Sequence, residues 1–179
     1  GADPDGAGPA DCFGVRSFAV IQDGVTAVIA GGFVDVAAGS YPESVTVPKD
    51  VTIDGNTGTA TDIVVTPVSG PAFNITGGTT VLIRDLSATN SPDSAGINST
   101  VAGIDLDLIN IAATGNSTHG VTVTGSNSLD LTDIVATGNG LDGFFGSNTG
   151  VTTITGGSYQ TNGDDGIDIN DAAAVSITS

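Results

Sequence analysis

From Phe33 onward, apolar and polar residues alternate in short runs. Val34/Val36, Val45/Val47 and Val51/Ile53 each flank a polar residue, the period-two pattern of a half-buried strand. Gly39-Ser40-Tyr41-Pro42 and Asp54-Gly55-Asn56 interrupt the runs and read as turns. Thr, Val and Ile are plentiful and helix formers scarce, which favours strands. Ahead of these runs the period differs. Phe18, Ile21, Val25, Val28 and Ile29 fall on one helical face, Ser17 is placed to cap it, and Gly31-Gly32 ends it. The pattern predicts a helix over about residues 17–30, followed by strands to the end.

The strands repeat. Asn116-Ser117-Thr118-His119-Gly120-Val121, Asn139-Gly140-Leu141-Asp142-Gly143-Phe144 and Asn162-Gly163-Asp164-Asp165-Gly166-Ile167 share the frame Asn-x-x-x-Gly-apolar, with glycines 23 residues apart. A fixed period of this size signals a solenoid. Apolar positions then fall into columns: Val81, Leu106, Leu129, Thr152 and Val175; Ile83, Leu108, Leu131, Ile154 and Ile177; Leu86, Ile111 and Ile134, followed by Gly157; and Phe73, Ile97, Val121, Phe144 and Ile167. Stacked about 4.8 Å apart, such columns fill an interior while backbone bonds join successive coils as parallel sheets. Asn116, Asn139 and Asn162 are expected at a tight bend, where Asn tolerates left-handed backbone angles. Asn74 falls in a strand, without a partner column. The expected fold is all-β: a single right-handed parallel β-helix with a short N-terminal capping α-helix. Residues 1–16 read as an arm or linker, and 17–179 as the solenoid.

Composition narrows the function. Three Lys+Arg stand against 20 Asp+Glu, a formal net charge of −17. That balance excludes binding to nucleic acid or anionic membrane, which needs cations to neutralise phosphate. No stretch approaches the ~20 apolar residues of a membrane span. Cys12 has no second cysteine to pair with and reads as a small buried apolar residue or an intermolecular thiol.

The opening carries a resemblance. Phe18, Ile21 and Gln22 match an F-x-x-I-Q start, and Gly39, Tyr41, Glu43, Val45 and Val47 match G-x-Y-x-E-x-V-x-V. Together they resemble the opening of right-handed parallel β-helices of the pectate-lyase-like superfamily, as in pectin methylesterases and secreted surface β-helix proteins. The resemblance implies a cap helix, a first coil and an extracellular or cell-surface location. Asn162–Asp168 is similar to a polygalacturonase motif, which implies Asp165 as an acid. Gly140–Gly146 resembles the V-D-F-I-F-G of pectin methylesterases, with Asp142 at the nucleophile's place. The polygalacturonase His-Gly element belongs C-terminal to the acids, whereas His119-Gly120 precedes them by two coils.

Candidate chemistry gathers on one column. His119, Asp142 and Asp165 each precede a repeat glycine, so they stack on successive coils as a candidate catalytic ladder. Carboxylates ~5–5.5 Å apart suit a retaining glycosidase. Asp164, Asp165, Asp168 and Asp171 put many oxygens in one segment and form a candidate calcium site. Asp107 and Asp130 are expected to stack on an outward column, and Phe145 to face out where a ring can pack on a sugar. The chain reaches Ser179 inside a coil, which leaves an open end and invites self-association into a filament. The expected function is a non-catalytic extracellular module with a structural or adhesive role. Its alternatives are a carbohydrate-active enzyme and a calcium-dependent polysaccharide-binding module.

Overall fold

A computed structural model describes residues 17–179. The arm expected over residues 1–16, with Cys12, lies outside the described residues. One helix, α1 (Ile21–Ala27), precedes 17 strands. These are β1 (Gly32–Asp35), β2 (Gly39–Tyr41), β3 (Val45–Pro48), β4 (Val51–Asp54), β5 (Ile63–Val65), β6 (Phe73–Gly77), β7 (Thr80–Thr89), β8 (Ile97–Ser99), β9 (Asp105–Thr114), β10 (Val121–Thr124), β11 (Ser128–Thr132), β12 (Val135–Thr137), β13 (Phe144–Ser147), β14 (Val151–Thr155), β15 (Ser158–Gln160), β16 (Ile167–Asn170) and β17 (Ala174–Thr178).

Among the described residues the strand pairings are parallel and join successive coils, giving a parallel β-solenoid of about six turns. Each coil has three faces. The first runs through β1, β4, β7, β9, β11, β14 and β17; the second through β2, β5, the later halves of β7 and β9, β12 and β15; the third through β3, β6, β8, β10, β13 and β16. The expected columns are present in register: Leu106 pairs with Leu129, Leu129 with Thr152, Leu108 with Leu131, and Leu131 with Ile154. Leu108, Leu131 and Ile154 are at most 1 % exposed, so each contributes the roughly 1.5–3 kcal/mol of a fully buried aliphatic side chain. Phe144 is equally buried and needs Gly146 beside it, because a Cβ there would lie 2.8 Å from the Phe144 ring.

Left-handed residues also stack, at three corners per coil. Asp85, Asn110, Asp133 and Gly156 turn the first face into the second; Asn90, Gly115, Gly138 and Thr161 follow the second; Gly125, Asn148 and Asp171 follow the third. Asn116, Asn139 and Asn162 are not among the left-handed residues. The left-handed rationale for them fails, because the residue just before each takes the positive φ instead.

The cap differs from its prediction in length and in its capping group. The helix covers Ile21–Ala27 rather than about residues 17–30, and its N-cap is Val20, which makes no side-chain capping bond. Ser17 does not cap it. Glu43, on the first coil, accepts from the N–H groups of Ile21 at 2.7 Å and Gln22 at 3.0 Å. These are two of the donors that a helix N-terminus leaves unpaired. Gln22 in turn imitates a strand: Thr46 N–H donates to its Oε1 at 2.7 Å, and its Nε2 donates to Thr46 C=O at 3.2 Å. Lys49 Nζ donates to the carbonyls of Thr26 and Val28 at the other end. Ile21 and Val25 are buried against the first coil, whereas Ile29 is 81 % exposed, because the helix has ended before it.

Coil spacing lengthens where a 3₁₀ turn, Ala60–Asp62, folds over the second face. Ser87 Oγ donates to Ala60 C=O at 2.7 Å and Asn110 Nδ2 to Gly58 C=O at 3.2 Å, which straps the turn down. Arg84 pairs with the buried Asp54 at the base of this strap and holds its carboxyl below the usual carboxylate range. At the far end β17 is exposed along its whole length, with Val175 47 % and Ile177 59 % exposed. No described helix is long and apolar enough to cross a membrane.

Candidate functional site

The predicted ladder stands on the bends that lead into β10, β13 and β16. Each rung precedes a glycine whose carbonyl accepts from the previous coil: Val121 N–H donates to Gly143 C=O and Phe144 N–H to Gly166 C=O, both at 3.0 Å. These repeat glycines are absent from the positive-φ residues, so backbone angle does not explain them. Space does. A Cβ on Gly120 would lie 2.5 Å from Gly143 O and 2.9 Å from Asn139 Nδ2; on Gly143, 2.5 Å from Gly166 O and 2.7 Å from Asn162 Nδ2. Each glycine leaves the room that the next coil's asparagine fills.

That asparagine column is a ladder of its own. Asn139 Oδ1 accepts from Asn116 N–H at 3.1 Å and from Asn116 Nδ2 at 3.0 Å. Asn139 Nδ2 donates to Ala113 C=O at 3.1 Å and to Asn162 Oδ1 at 3.0 Å. Asn116 Oδ1 extends the ladder to Ser91 N–H at 3.0 Å. Asn116 and Asn139 are buried and their amides are satisfied, as buried polar groups must be.

The structure brings His119, Asp142 and Asp165 together as predicted. Asp142 is 5 % exposed. Its Oδ1 accepts from Asp165 N–H at 2.9 Å, and its Oδ2 lies 3.0 Å from His119 Nδ1. His119 Nδ1 also lies 3.3 Å from the Asp142 N–H. One ring nitrogen does not donate to the first group and accept from the second. The Asp142 N–H carries its own proton, which makes Nδ1 the acceptor of that bond, and the Oδ2 contact is a close approach. The His119 ring stacks on Phe145, centroids 5.1 Å apart and planes 28° from parallel.

The predicted cation site is only half assembled. Among the described residues, Asp142, Asp164 and Asp165 place carboxylate oxygens within 4.8 Å of one another. Asp168 and Asp171 are not in that group. Asp168 lies on β16, in register with Phe145, and both its carboxylate oxygens accept from Asn170 Nδ2 at 3.2 Å. Asp171 occupies a left-handed corner. The period of 23 carries the reason: Asp168 shares the outward strand column of Thr122 and Phe145, not the bend of Asp164 and Asp165. Two carboxylates about 5 Å apart repel by about 3 kcal/mol at an effective dielectric near 20. Exposure of Asp164 and Asp165 to water relieves most of that repulsion here.

Two features escaped the sequence reading. Asn74 does have a partner column: it pairs in register with Asn98, whose Nδ2 donates to Asn74 Oδ1 at 3.1 Å. The 24-residue spacing of the two asparagines was the available signal. The His119–Phe145 stack links a bend to a strand of the next coil, and one-column alignment does not reveal it. Asp107 and Asp130 do stack in register on the first face. Burial, then Asp130 and then Asp105, pushes the Asp107 carboxyl above the usual range. A separate groove of about 540 Å³ lies at the other end of the molecule, lined by Phe18, Ile21, Val28, Phe33, Val34 and Tyr41; no predicted site residue lines it. No family matches this chain, and no curated protein is detectably similar to it.

Proposed function

We propose that this chain is a non-catalytic β-solenoid module of an extracellular or cell-surface protein, with a structural or adhesive role. The bonding of Asp142 carries this reading. Asp142 is 5 % exposed, its Oδ1 accepts from the Asp165 N–H, and its Oδ2 lies against the His119 ring of the previous coil. A carboxylate enclosed between coils in this way presents little of itself to a substrate, which a nucleophile or general base must reach. The likeness of Gln22 and Glu43, with their surrounding residues, to secreted members of the pectate-lyase-like superfamily supports the location. Membership in that superfamily is part of the proposal. Self-association is part of the same proposal.

The test is an assay for reducing ends and unsaturated products across neutral and acidic polysaccharides. The expected result is no turnover. Turnover that Asp165→Ala abolishes overturns the proposal in favour of the second reading, a carbohydrate-active enzyme, which the approach of the Asp142 and Asp165 carboxylates favours. Sedimentation tests the assembly part, and a monomer at every concentration removes it. An unchanged melting temperature in excess calcium or chelator removes calcium from the account.

A further inference from the structure

The outer side of the third face carries a continuous row of mostly polar, uncharged side chains. Thr46, Asn74, Asn98, Thr122, Phe145 and Asp168 stand in register on six successive coils. Beside them run Thr124, Ser147 and Asn170, again in register. Neither row contains a Lys or Arg, and Asp168 is the single acid in both. The rungs are about 4.8 Å apart, so the longer row spans roughly 24 Å along the solenoid.

Hydrogen-bonding capacity is left over on this row. Asn98 Nδ2 donates to Asn74 Oδ1, which leaves Asn74 Nδ2 as a donor and Asn98 Oδ1 as an acceptor. Thr122 Oγ1, between Asn98 and Phe145, is shielded from solvent and adds nothing to this capacity. Phe145 stacks on His119 and is part-exposed, so it presents an apolar surface next to these polar groups. A periodic row of amides and hydroxyls with a ring near one end is matched by a polymer with hydroxyls at regular intervals and apolar ring faces between them. A chain of sugars is such a polymer, because its rings pack on aromatic side chains while its hydroxyls bond to amides. Charge selects among sugars. A uronate polymer meets no cation on the face and a net charge of −17 around it.

We propose that the outer side of the third face binds an extended, neutral, hydroxyl-rich glycan running along the solenoid axis. The inference goes beyond a structural role by naming a partner class, and it rests on this surface being one that binds rather than cleaves. Affinity electrophoresis tests it in native gels containing hydroxyethyl cellulose, arabinoxylan or polygalacturonate. The neutral polymers are expected to retard the wild-type chain and polygalacturonate to leave it unretarded. Phe145→Ala and Asn98→Ala should each weaken retardation about tenfold, the equivalent of one lost hydrogen bond or ring contact. Thr76→Lys, an exposed change beside Asn74, should do so without touching the interior, while Thr153→Ala on the first face leaves binding intact. Thermal melts confirm that each variant is folded. Absence of retardation by both neutral polymers, stronger retardation by polygalacturonate, or full binding by folded Phe145→Ala and Thr76→Lys overturns the proposal. The turnover assay is separate: a chain that binds and cleaves refutes the non-catalytic reading and leaves the face standing, and a chain that does neither refutes the face alone.

Discussion

Asn139→Ala is the sharpest test of the ladder. Asn139 is 3 % exposed and makes four side-chain bonds: two accepted from Asn116 and one donated each to Ala113 C=O and Asn162 Oδ1. Their loss is unequal in effect. Asn116 Nδ2 keeps Ala88 C=O, and Asn162 Oδ1 keeps the Asn139 N–H. The buried Asn116 N–H is stranded, whereas the Ala113 C=O stays within the β9–β12 pairing. The stranded N–H costs about 1–3 kcal/mol and the lost side-chain bonds about 1 kcal/mol more, roughly 2–4 kcal/mol in all. A chain of this length loses about 2–4 °C of melting temperature per kcal/mol, so the expected drop is roughly 4–16 °C. Asn162→Ala should cost less, because Asn162 is only half buried and water can reach what it leaves behind. Ser117→Ala, an exposed change on the same bend, should stay within about 0.5 kcal/mol. Thermal melts followed by far-UV circular dichroism read all three. If Asn139→Ala melts within a degree or two of wild type, or if Asn162→Ala costs more, the ladder is not what holds this bend.

Gly143→Ala should be at least as harmful, since its Cβ meets the Gly166 carbonyl and the Asn162 amide; a variant with wild-type urea stability contradicts the spacing argument. Glu43→Ala should cost about 1 kcal/mol by uncapping α1 and should speed amide exchange at Ile21 and Gln22 above that in the coils; protection equal to wild type at both amides counts against it. Asp107→Asn should stabilise the chain at neutral pH. The folded-state carboxyl is raised, so the proton it binds favours the folded chain below the unfolded value, and that contribution is lost as pH rises through the folded one. The advantage of Asp107→Asn should therefore shrink as pH falls toward 3.8, and an advantage that grows in acid refutes the sign.

Regular elements were legible because period and burial agree. Leu108, Leu131 and Ile154 recur at 23 residues, and each is buried, so one sequence pattern sets strand, register and interior together. The helix was legible in place but not in length, because Glu43 and Gln22, rather than Ser17, determine where its ends are satisfied. Those two side chains bond across more than 20 residues, and no local pattern reports that. The candidate site was legible as a column and not as chemistry. Stacking of His119, Asp142 and Asp165 follows from spacing alone, whereas the occupation of Asp142 by the next coil's N–H appears only in three dimensions. Asp168 is near Asp164 and Asp165 in sequence, but the period carries it onto the outward column of the strand, away from their bend.

A solenoid also changes what a cluster of polar residues means. Its corners hold backbone groups that the strands do not pair, and a side chain that satisfies one of them is useful again one coil later. Repetition therefore gathers Asn, Asp and His into columns for structural reasons, and such a column imitates an active site in sequence. Asn116, Asn139 and Asn162 show the pure form, and His119, Asp142 and Asp165 a mixed one. By the same logic, residues that interrupt a column carry more information about function than those that continue it. Phe145 breaks a row of Thr and Asn with an aromatic ring, and Asp107 and Asp130 keep like charges stacked at a cost the fold does not require. Substitution of an interrupting residue should alter binding with little effect on melting, whereas substitution of a repeating one should do the reverse. The pair Phe145→Ala and Asn139→Ala, measured side by side for glycan retardation and for thermal stability, separates these two kinds of residue.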